Sequence, residues 1–141
     1  LGASQGAFRS TDAGKTWQQI LKPLNAFEGA KKVEKLVQDF NSRRVFLTSK
    51  YGILSSADFG RTWNKVNLLT SAGQVHISAI ATDPGNPNVI YYTAAGTFYA
   101  SYDHGASWTT KKLPSSRAPI TLVVDPRNGS VIYMGVQFFA K

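Results

Sequence analysis

The chain contains no cysteine and only one methionine among its 141 residues. The absence of cysteine excludes disulfides and thiolate zinc sites. No apolar run approaches the ~20 residues that a membrane-spanning helix needs. Acidic residues are also scarce, with 8 against 16 basic ones, so the net charge is +8. This excess of positive charge predicts a field that attracts anionic partners, and it also favours solubility.

Several motifs that carry chemistry are missing from the sequence. It has no glycine-rich nucleotide loop and no catalytic-triad motif. The positive charge is not accompanied by a basic helix or a stacking-aromatic motif typical of nucleic-acid binding. His76 and His104 have no potential metal-ligating partner at a suitable spacing. We therefore expect no cofactor, no metal site and no nucleic-acid partner.

One eight-residue phrase occurs three times along the chain. It reads STDAGKTW at 10–17, SADFGRTW at 56–63 and SYDHGASW at 101–108. The final tryptophans are 46 and 45 residues apart, and the chain has no other tryptophan. A constant period of this size indicates a repeat architecture.

The residues shared by the three copies suit a tight turn between strands. The aspartate can accept hydrogen bonds from backbone N–H groups one to three residues on. The glycine supplies a positive φ without steric cost, and the tryptophan is expected to bury its ring beside the turn. A catalytic or metal-binding aspartate is the alternative, but three identical sites favour a structural role. The structural residues are Ser10, Asp12, Gly14, Trp17, Ser56, Asp58, Gly60, Trp63, Ser101, Asp103, Gly105 and Trp108.

A second repeat lies between the phrases. The segments 33–39, 77–83 and 119–125 align with one another, and each is followed by a turn and a short apolar strand. Each unit then contains four strands, A to D, with the phrase between C and D. This pattern predicts an all-β fold of four-stranded antiparallel β-propeller blades, about three in number. The repeats span approximately 1–32, 33–76, 77–118 and 119–141, the first and last being incomplete.

One segment has a local pattern that conflicts with this assignment. Residues 29–40 are compatible with a short helix, whereas the repeat register places an inner strand at 33–39. Because tertiary context overrides propensity, we follow the register and allow a helical turn only within 26–32.

The phrase S-x-D-x-G-x-[ST]-W resembles the Asp-box, or bacterial neuraminidase repeat. This motif occurs in sialidases, sortilin-type receptors, xyloglucanases and a photosystem II assembly factor. The resemblance implies a β-propeller, but it does not indicate which of those unrelated activities this chain has. Closed propellers typically have four to eight blades, so we expect either a part of a larger propeller or closure with a second copy.

The resemblance also implies where a ligand would bind. Asp-box propellers generally bind ligands on the face opposite the boxes, formed by the B–C turns (3–6, 49–52 and 94–97) and the D–A loops (22–32, 67–76 and 112–118). Gln137 and Phe138 are expected near this face. The candidate ligand-binding residues are Lys22, Phe27, Glu28, Lys31, Lys32, Lys50, Tyr51, Lys112 and Arg117.

Two functions remain open from the sequence. The first is a non-catalytic propeller segment that binds a protein, peptide or glycan, possibly anionic. The alternative, implied by the resemblance, is part of a secreted or periplasmic glycoside hydrolase of the xyloglucanase or sialidase type. Most glycoside hydrolysis needs two carboxylates, yet six of the eight acids lie in boxes or at strand ends. Only Glu28 and Glu34 remain and nothing in the sequence pairs them, so catalytic residues would lie outside this chain. Either function predicts an extracytoplasmic location.

Overall fold

The computed structural model describes residues 6–20 and 22–137, and its strands form four antiparallel sheets. We number these sheets I to IV along the chain. Half-blade I has two strands, blades II and III have four each, and half-blade IV has two. The strands are β1 (Phe8–Arg9) and β2 (Gln18–Gln19) in I; β3 (Val33–Gln38), β4 (Val45–Ser49), β5 (Gly52–Ser56) and β6 (Asn64–Lys65) in II; β7 (Ile77–Asp83), β8 (Asn86–Ala94), β9 (Thr97–Ser101) and β10 (Thr109–Lys112) in III; and β11 (Pro119–Asp125) and β12 (Asn128–Val136) in IV.

The predicted all-β fold is confirmed, and sequential strands are neighbours within each blade. The segment with helix-like composition forms strand β3, because Leu36 and Val37 pair with Leu47 and Phe46 of β4. The helical turn lies earlier than predicted. It is a short 3₁₀ helix at Lys22–Ala26, with a proline near its start and the fully buried Leu24 as its anchor.

The first strand of each blade lies on the inside of the array. Strand β7 contacts β3 on one side and β11 on the other. The Lys35 ammonium of β3 donates a hydrogen bond to the Ile120 carbonyl, which lies two inner strands away, at 2.9 Å. The inner strands therefore curve around a common axis, as in a propeller.

The apolar core lies between blades. One cluster joins half-blade I to blade II and contains Leu24, Leu47, Leu54 and Trp63. A second joins blades II and III, where Tyr92 stacks on Tyr99 with ring centroids 4.3 Å apart. A third joins blade III to half-blade IV and includes Tyr91 and Leu122. Each blade thus depends on its neighbours for burial, as expected for a repeat protein.

Candidate functional site

The three Asp-box turns share one hydrogen-bond network. In the second box, Asp58 Oδ1 accepts the Thr62 backbone N–H at 2.8 Å, and Oδ2 accepts the Thr62 hydroxyl at 2.6 Å. The Ser56 hydroxyl donates to Asp58 and accepts the Gly60 N–H at 2.8 Å. The other two boxes repeat these contacts. The aspartate thus bonds the residue four positions on, beyond the one to three that the Asx-turn interpretation predicted.

These hydrogen bonds stabilise the ionised form of each carboxyl group. The Thr16 hydroxyl lowers the pKa of Asp12 to about 2, and the Thr62 hydroxyl does the same for the pKa of Asp58. The Ser107 hydroxyl lowers the pKa of Asp103 to about 2. Both oxygens of each carboxylate bond groups of their own turn, which is the geometry of a structural acceptor.

Acid should destabilise the protein partly through these boxes. The Asp58 carboxyl has a pKa of about 2 when folded against 3.8 as its ordinary value. Its contribution to stability is therefore fully present above the ordinary pKa and is lost as the pH falls through about 2. We expect the free energy of unfolding to fall more steeply below about pH 4 in the wild type than in Asp58→Asn, measured by urea titration across this range. Parallel pH profiles for the two proteins would contradict this assignment.

The box tryptophans differ in burial. Trp63 is 6% exposed, and Trp108 is half-buried with its indole N–H donating to the Asn67 carbonyl at 2.7 Å. Trp17 is 64% exposed, so the prediction that every box tryptophan buries its ring is wrong for this one. Each of the other two boxes packs on the last strand of the preceding blade, and within residues 6–20 and 22–137 no such strand precedes Trp17.

Close packing of the second and third boxes explains their glycines. A Cβ added to Gly60 would lie 2.9 Å from Ile20, and one added to Gly105 would lie 2.7 Å from Val66. Both glycines also have positive φ. Ile20 and Val66 directly follow the last strands of half-blade I and blade II, so each box is held against the blade before it.

The B–C turns (49–52 and 94–97) and the D–A loops (22–32, 67–76 and 112–118) lie at the end of the blades opposite the boxes, and we call this end the loop face. Phe27 of the 22–32 loop contacts Tyr51 of the B–C turn edge to face, with ring centroids 5.2 Å apart. The Gly73 N–H donates to the Tyr51 carbonyl at 3.2 Å. The B–C turn of blade II therefore lies between two D–A loops.

The predicted ligand-binding residues occupy different parts of the loop face. Lys50 is exposed, and its side chain lies against Gly29 of the 22–32 loop. Phe27, predicted to be exposed, is half-buried because its ring packs on the cluster between half-blade I and blade II. Exposed side chains at the remaining predicted positions are those of Lys22, Glu28, Lys31, Lys32, Lys112 and Arg117.

The structure brings the 22–32 loop and the 50–51 turn together, whereas Lys112 and Arg117 belong to the D–A loop of blade III. Gln137 lies at the same end, since its N–H donates to the Ala118 carbonyl. Residues 3–5 of the first B–C turn and Phe138 lie outside the described residues.

A small cleft on the loop face adds residues that sequence reasoning did not single out. It has a volume of about 200 Å³ and lies between the start of β5 and the D–A loop of blade II. Its lining includes an aromatic residue, aliphatic residues, a hydroxyl residue, an amide and a lysine, namely Tyr51, Ile53, Leu68, Ser71, Asn67 and Lys65. Such a mixture suits a ligand with one apolar face and several hydroxyl groups.

Glu34 and His76 form a pair that was not predicted. His76 Nδ1 lies 3.1 Å from Glu34 Oε2. From the sequence alone, we expected the histidine to be isolated and the carboxylate to be unpaired. The two residues come from strand β3 and from the loop before β7, which are distant in sequence but adjacent around the axis. The part of the chain that the structure describes holds no group of three metal-ligating side chains.

Comparisons with known proteins agree with this architecture. The BNR/Asp-box repeat matches residues 8–19. A xyloglucanase of a Paenibacillus species is 32% identical, with an alignment covering 72% of this chain and 13% of the relative. The xyloglucanase Xgh74A of Acetivibrio thermocellus is 27% identical, covering 71% and 15%. The chain thus spans less than a fifth of the length of these relatives.

A similar solved structure supports the fold. The GH74 enzyme of Niastella koreensis superimposes with a TM-score of 0.70 at 22% identity, over 92% of this chain and 21% of that enzyme. Among the described residues, no helix has the length and apolar character to cross a membrane. Together with the three hydrogen-bonded boxes and the four-stranded sheets, these matches show that the chain is built of Asp-box repeats folded as β-propeller blades.

Proposed function

We propose that this chain is a glycan-binding part of a xyloglucanase-like propeller, and that its loop face contacts a β-glucan chain of the xyloglucan type. The observation that carries the proposal is the cleft beside Tyr51, on the loop face of a chain whose relatives are xyloglucanases. Because such a ligand is a large polysaccharide, the proposal also places the protein outside the cytoplasm.

The cleft has the chemistry that a sugar ring requires. A pyranose presents C–H groups on its faces and hydroxyls around its edge. The Tyr51 ring is half-buried and held by Phe27, so it offers a fixed aromatic wall at little cost in side-chain entropy. Asn67 and Ser71 are exposed polar residues of the facing loop and bring an amide and a hydroxyl to the cleft. A preorganised aromatic wall with a few polar groups opposite is the usual arrangement of a small-ligand site.

We propose binding rather than cleavage by these residues. Most glycoside hydrolysis needs two carboxyl groups that flank the scissile bond. The box aspartates use both oxygens within their own turns, and Glu34 faces His76. Glu28 is an exposed residue of the 22–32 loop. Asp39, Asp83 and Asp125 each accept a backbone N–H of their own A–B turn. Any hydrolytic activity would therefore depend on carboxylates from outside this chain.

Charge on the loop face favours a second candidate, an acidic peptide. Lys22, Lys31, Lys32 and Lys50 are all exposed there, on a chain with a net charge of +8. Such a field raises the association rate of anionic partners and weakens with added salt.

Calorimetric titration with xyloglucan oligosaccharides tests the first candidate. We expect the wild type to bind and Tyr51→Ala to lower the affinity by about tenfold, since the fixed aromatic wall is lost. The matched control is Tyr102→Ala, because Tyr102 is an exposed tyrosine in the third box, at the opposite end of the blade. The control should bind like the wild type.

Each result has a defined meaning. Absence of binding by the wild type, or equal binding by Tyr51→Ala, would refute the glycan site. Release of reducing ends by the chain alone would refute the binding-only role. Salt-sensitive binding of an acidic peptide that Lys50→Ala weakens, without glycan binding, would favour the second candidate.

A further inference from the structure

Glu34 and His76 meet at the end of the loop that forms one wall of the cleft beside Tyr51, and we infer that they are positioning residues for this cleft. Their ion pair holds the 67–76 loop against blade II. Because histidine changes its charge between about pH 8 and 5, the pair should hold the loop more firmly at mildly acidic pH. This inference rests on the proposed glycan site and concerns how that site is held and regulated.

A β-bulge directs the Glu34 side chain towards the next blade. Strand β3 shifts its register against β4 between Val33 and Lys35, so Glu34 is the extra residue. Bulges commonly re-aim a side chain in this way. Strand β7 has the same shift at Ser78, whose hydroxyl bonds a carbonyl of its own blade. Glu34 instead reaches His76, which directly precedes β7. The pair therefore joins the two complete blades, II and III.

The Glu34 carboxylate depends on His76 for charge compensation. Glu34 Oε2 is buried and has no hydrogen-bond partner among the described residues, and His76 Nδ1 lies 3.1 Å from it. A buried carboxylate oxygen without a partner is costly, and a cation beside it reduces that cost. The contact is not an aligned hydrogen bond, so its strength depends on the charge of the imidazole. Because the His76 side chain is 69% exposed, solvent screens the pair and its effect should be modest.

The groups around the pair leave the imidazole as the one that responds to pH near neutrality. Residues 67–75 contain no titratable side chain, and strand β4 contains none either. Strands β7 and β11 carry aspartates only at their other ends, Asp83 and Asp125. Lysine, arginine and tyrosine keep their charge state across neutral pH. The other titratable residues on the flanking strand, turns and loops are of these types, namely Lys32, Lys35, Lys50, Tyr51, Lys112 and Arg117.

Polar contacts hold the 67–76 loop at its start, middle and end. The Asn67 carbonyl accepts the Trp108 indole N–H at 2.7 Å, and the Gly73 N–H donates to the Tyr51 carbonyl at 3.2 Å. His76 provides the contact at the end of the loop. Loosening that end would leave the cleft wall less ordered before binding, and ordering it would then cost affinity. The wall residues of this loop include Asn67, Leu68 and Ser71.

Calorimetric titration at two pH values tests the inference. We expect the wild type to bind xyloglucan oligosaccharides about threefold more tightly at pH 6 than at pH 8, the size typical of a solvent-screened ion pair. His76→Gln should bind equally at both pH values. His104→Asn is the matched control, because His104 is the other of the two histidines and lies in the third box, where asparagine tolerates its positive φ. It should keep the pH dependence.

Further variants separate charge pairing from packing. At pH 6, Glu34→Gln and His76→Gln should each lower the affinity about threefold, and the double variant should be no weaker than either single variant. His76→Lys, which is charged at both pH values, should bind as tightly at pH 8 as at pH 6. Additive losses in the double variant would show that the two residues act separately and would overturn the pairing.

Amide hydrogen exchange tests the loop without any ligand. At pH 6, the Gly73 and Gln74 amides, which donate to the Tyr51 and Ser71 carbonyls, should exchange about threefold faster in His76→Gln than in the wild type. The control is the Leu113 amide, which donates to the Gly96 carbonyl in the corresponding loop of blade III. Its exchange should be unchanged.

The outcomes separate this inference from the proposed function. Absence of glycan binding at both pH values would refute the proposed function, and amide exchange alone would then decide whether the pair holds the loop. Glycan binding that is equal at pH 6 and pH 8, or that loses its pH dependence in His104→Asn, would overturn the inference and leave the glycan site intact. Unchanged loop exchange in His76→Gln would overturn it as well.

Discussion

Trp63→Ala should lower the free energy of unfolding by about 3–5 kcal/mol, the range typical for removing a large buried aromatic ring. Trp63 packs in the cluster between half-blade I and blade II, together with Leu24, Leu47 and Leu54. Its loss would leave a cavity between two sheets that depend on each other for burial. Urea unfolding followed by circular dichroism measures the change.

Trp17→Ala is the matched control for this substitution. Trp17 occupies the same position of the first box but is exposed, so its removal should cost less than about 1 kcal/mol. Equal losses in the free energy of unfolding for the two variants would show that burial of the ring between blades does not explain how the box tryptophan stabilises the fold.

Tyr92→Ala should cost a similar amount, about 3–5 kcal/mol, because Tyr92 is fully buried at the centre of the cluster between blades II and III. Its ring is nearly parallel to that of Tyr99 and contacts Trp108 edge to face at 4.8 Å. Deleting the ring would remove both aromatic contacts and open a cavity between the sheets. The same urea titration measures the loss.

Tyr92→Phe separates the ring from its hydroxyl group. The Tyr92 hydroxyl is buried and has no hydrogen-bond partner among the described residues. Burial also raises the pKa of Tyr92 well above its usual range, so the group stays neutral. Removing an unsatisfied buried hydroxyl should leave stability unchanged or raise it by up to about 1 kcal/mol. A loss of stability in Tyr92→Phe would reveal a partner for the hydroxyl, such as a bound water.

The repeat in the sequence was sufficient to predict the blades. The three boxes mark the same turn in each unit, and their spacing placed Val33–Gln38 in a strand despite its helix-like composition. Local propensity was misleading there because pairing with β4 supplies hydrogen bonds and burial that an isolated segment lacks. The helical turn at Lys22–Ala26 lies a few residues before its predicted position, because it depends on the burial of Leu24 rather than on a local pattern.

The candidate site was predicted only in outline. The loop face followed from the alternation of strand direction, but the cleft residues Asn67 and Thr70 did not stand out in the sequence. Phe27 was predicted to be exposed because its loop is polar, whereas its ring is half-buried and packs edge to face against Tyr51. The Glu34–His76 pair was not predicted, because the two residues are 42 positions apart in the sequence and come together only when neighbouring blades pack around the axis.

The sequence by itself determined the repeat, the strand order within each blade and the chemistry of the Asp-box turns, because these depend on residues close together along the chain. Only the tertiary structure decided which tryptophans are buried, which loop side chains share a cleft and which apolar faces are left open. These properties depend on the blade that packs alongside, and a chain of equivalent repeats does not reveal which copies have a neighbour until the blades are arranged around their axis.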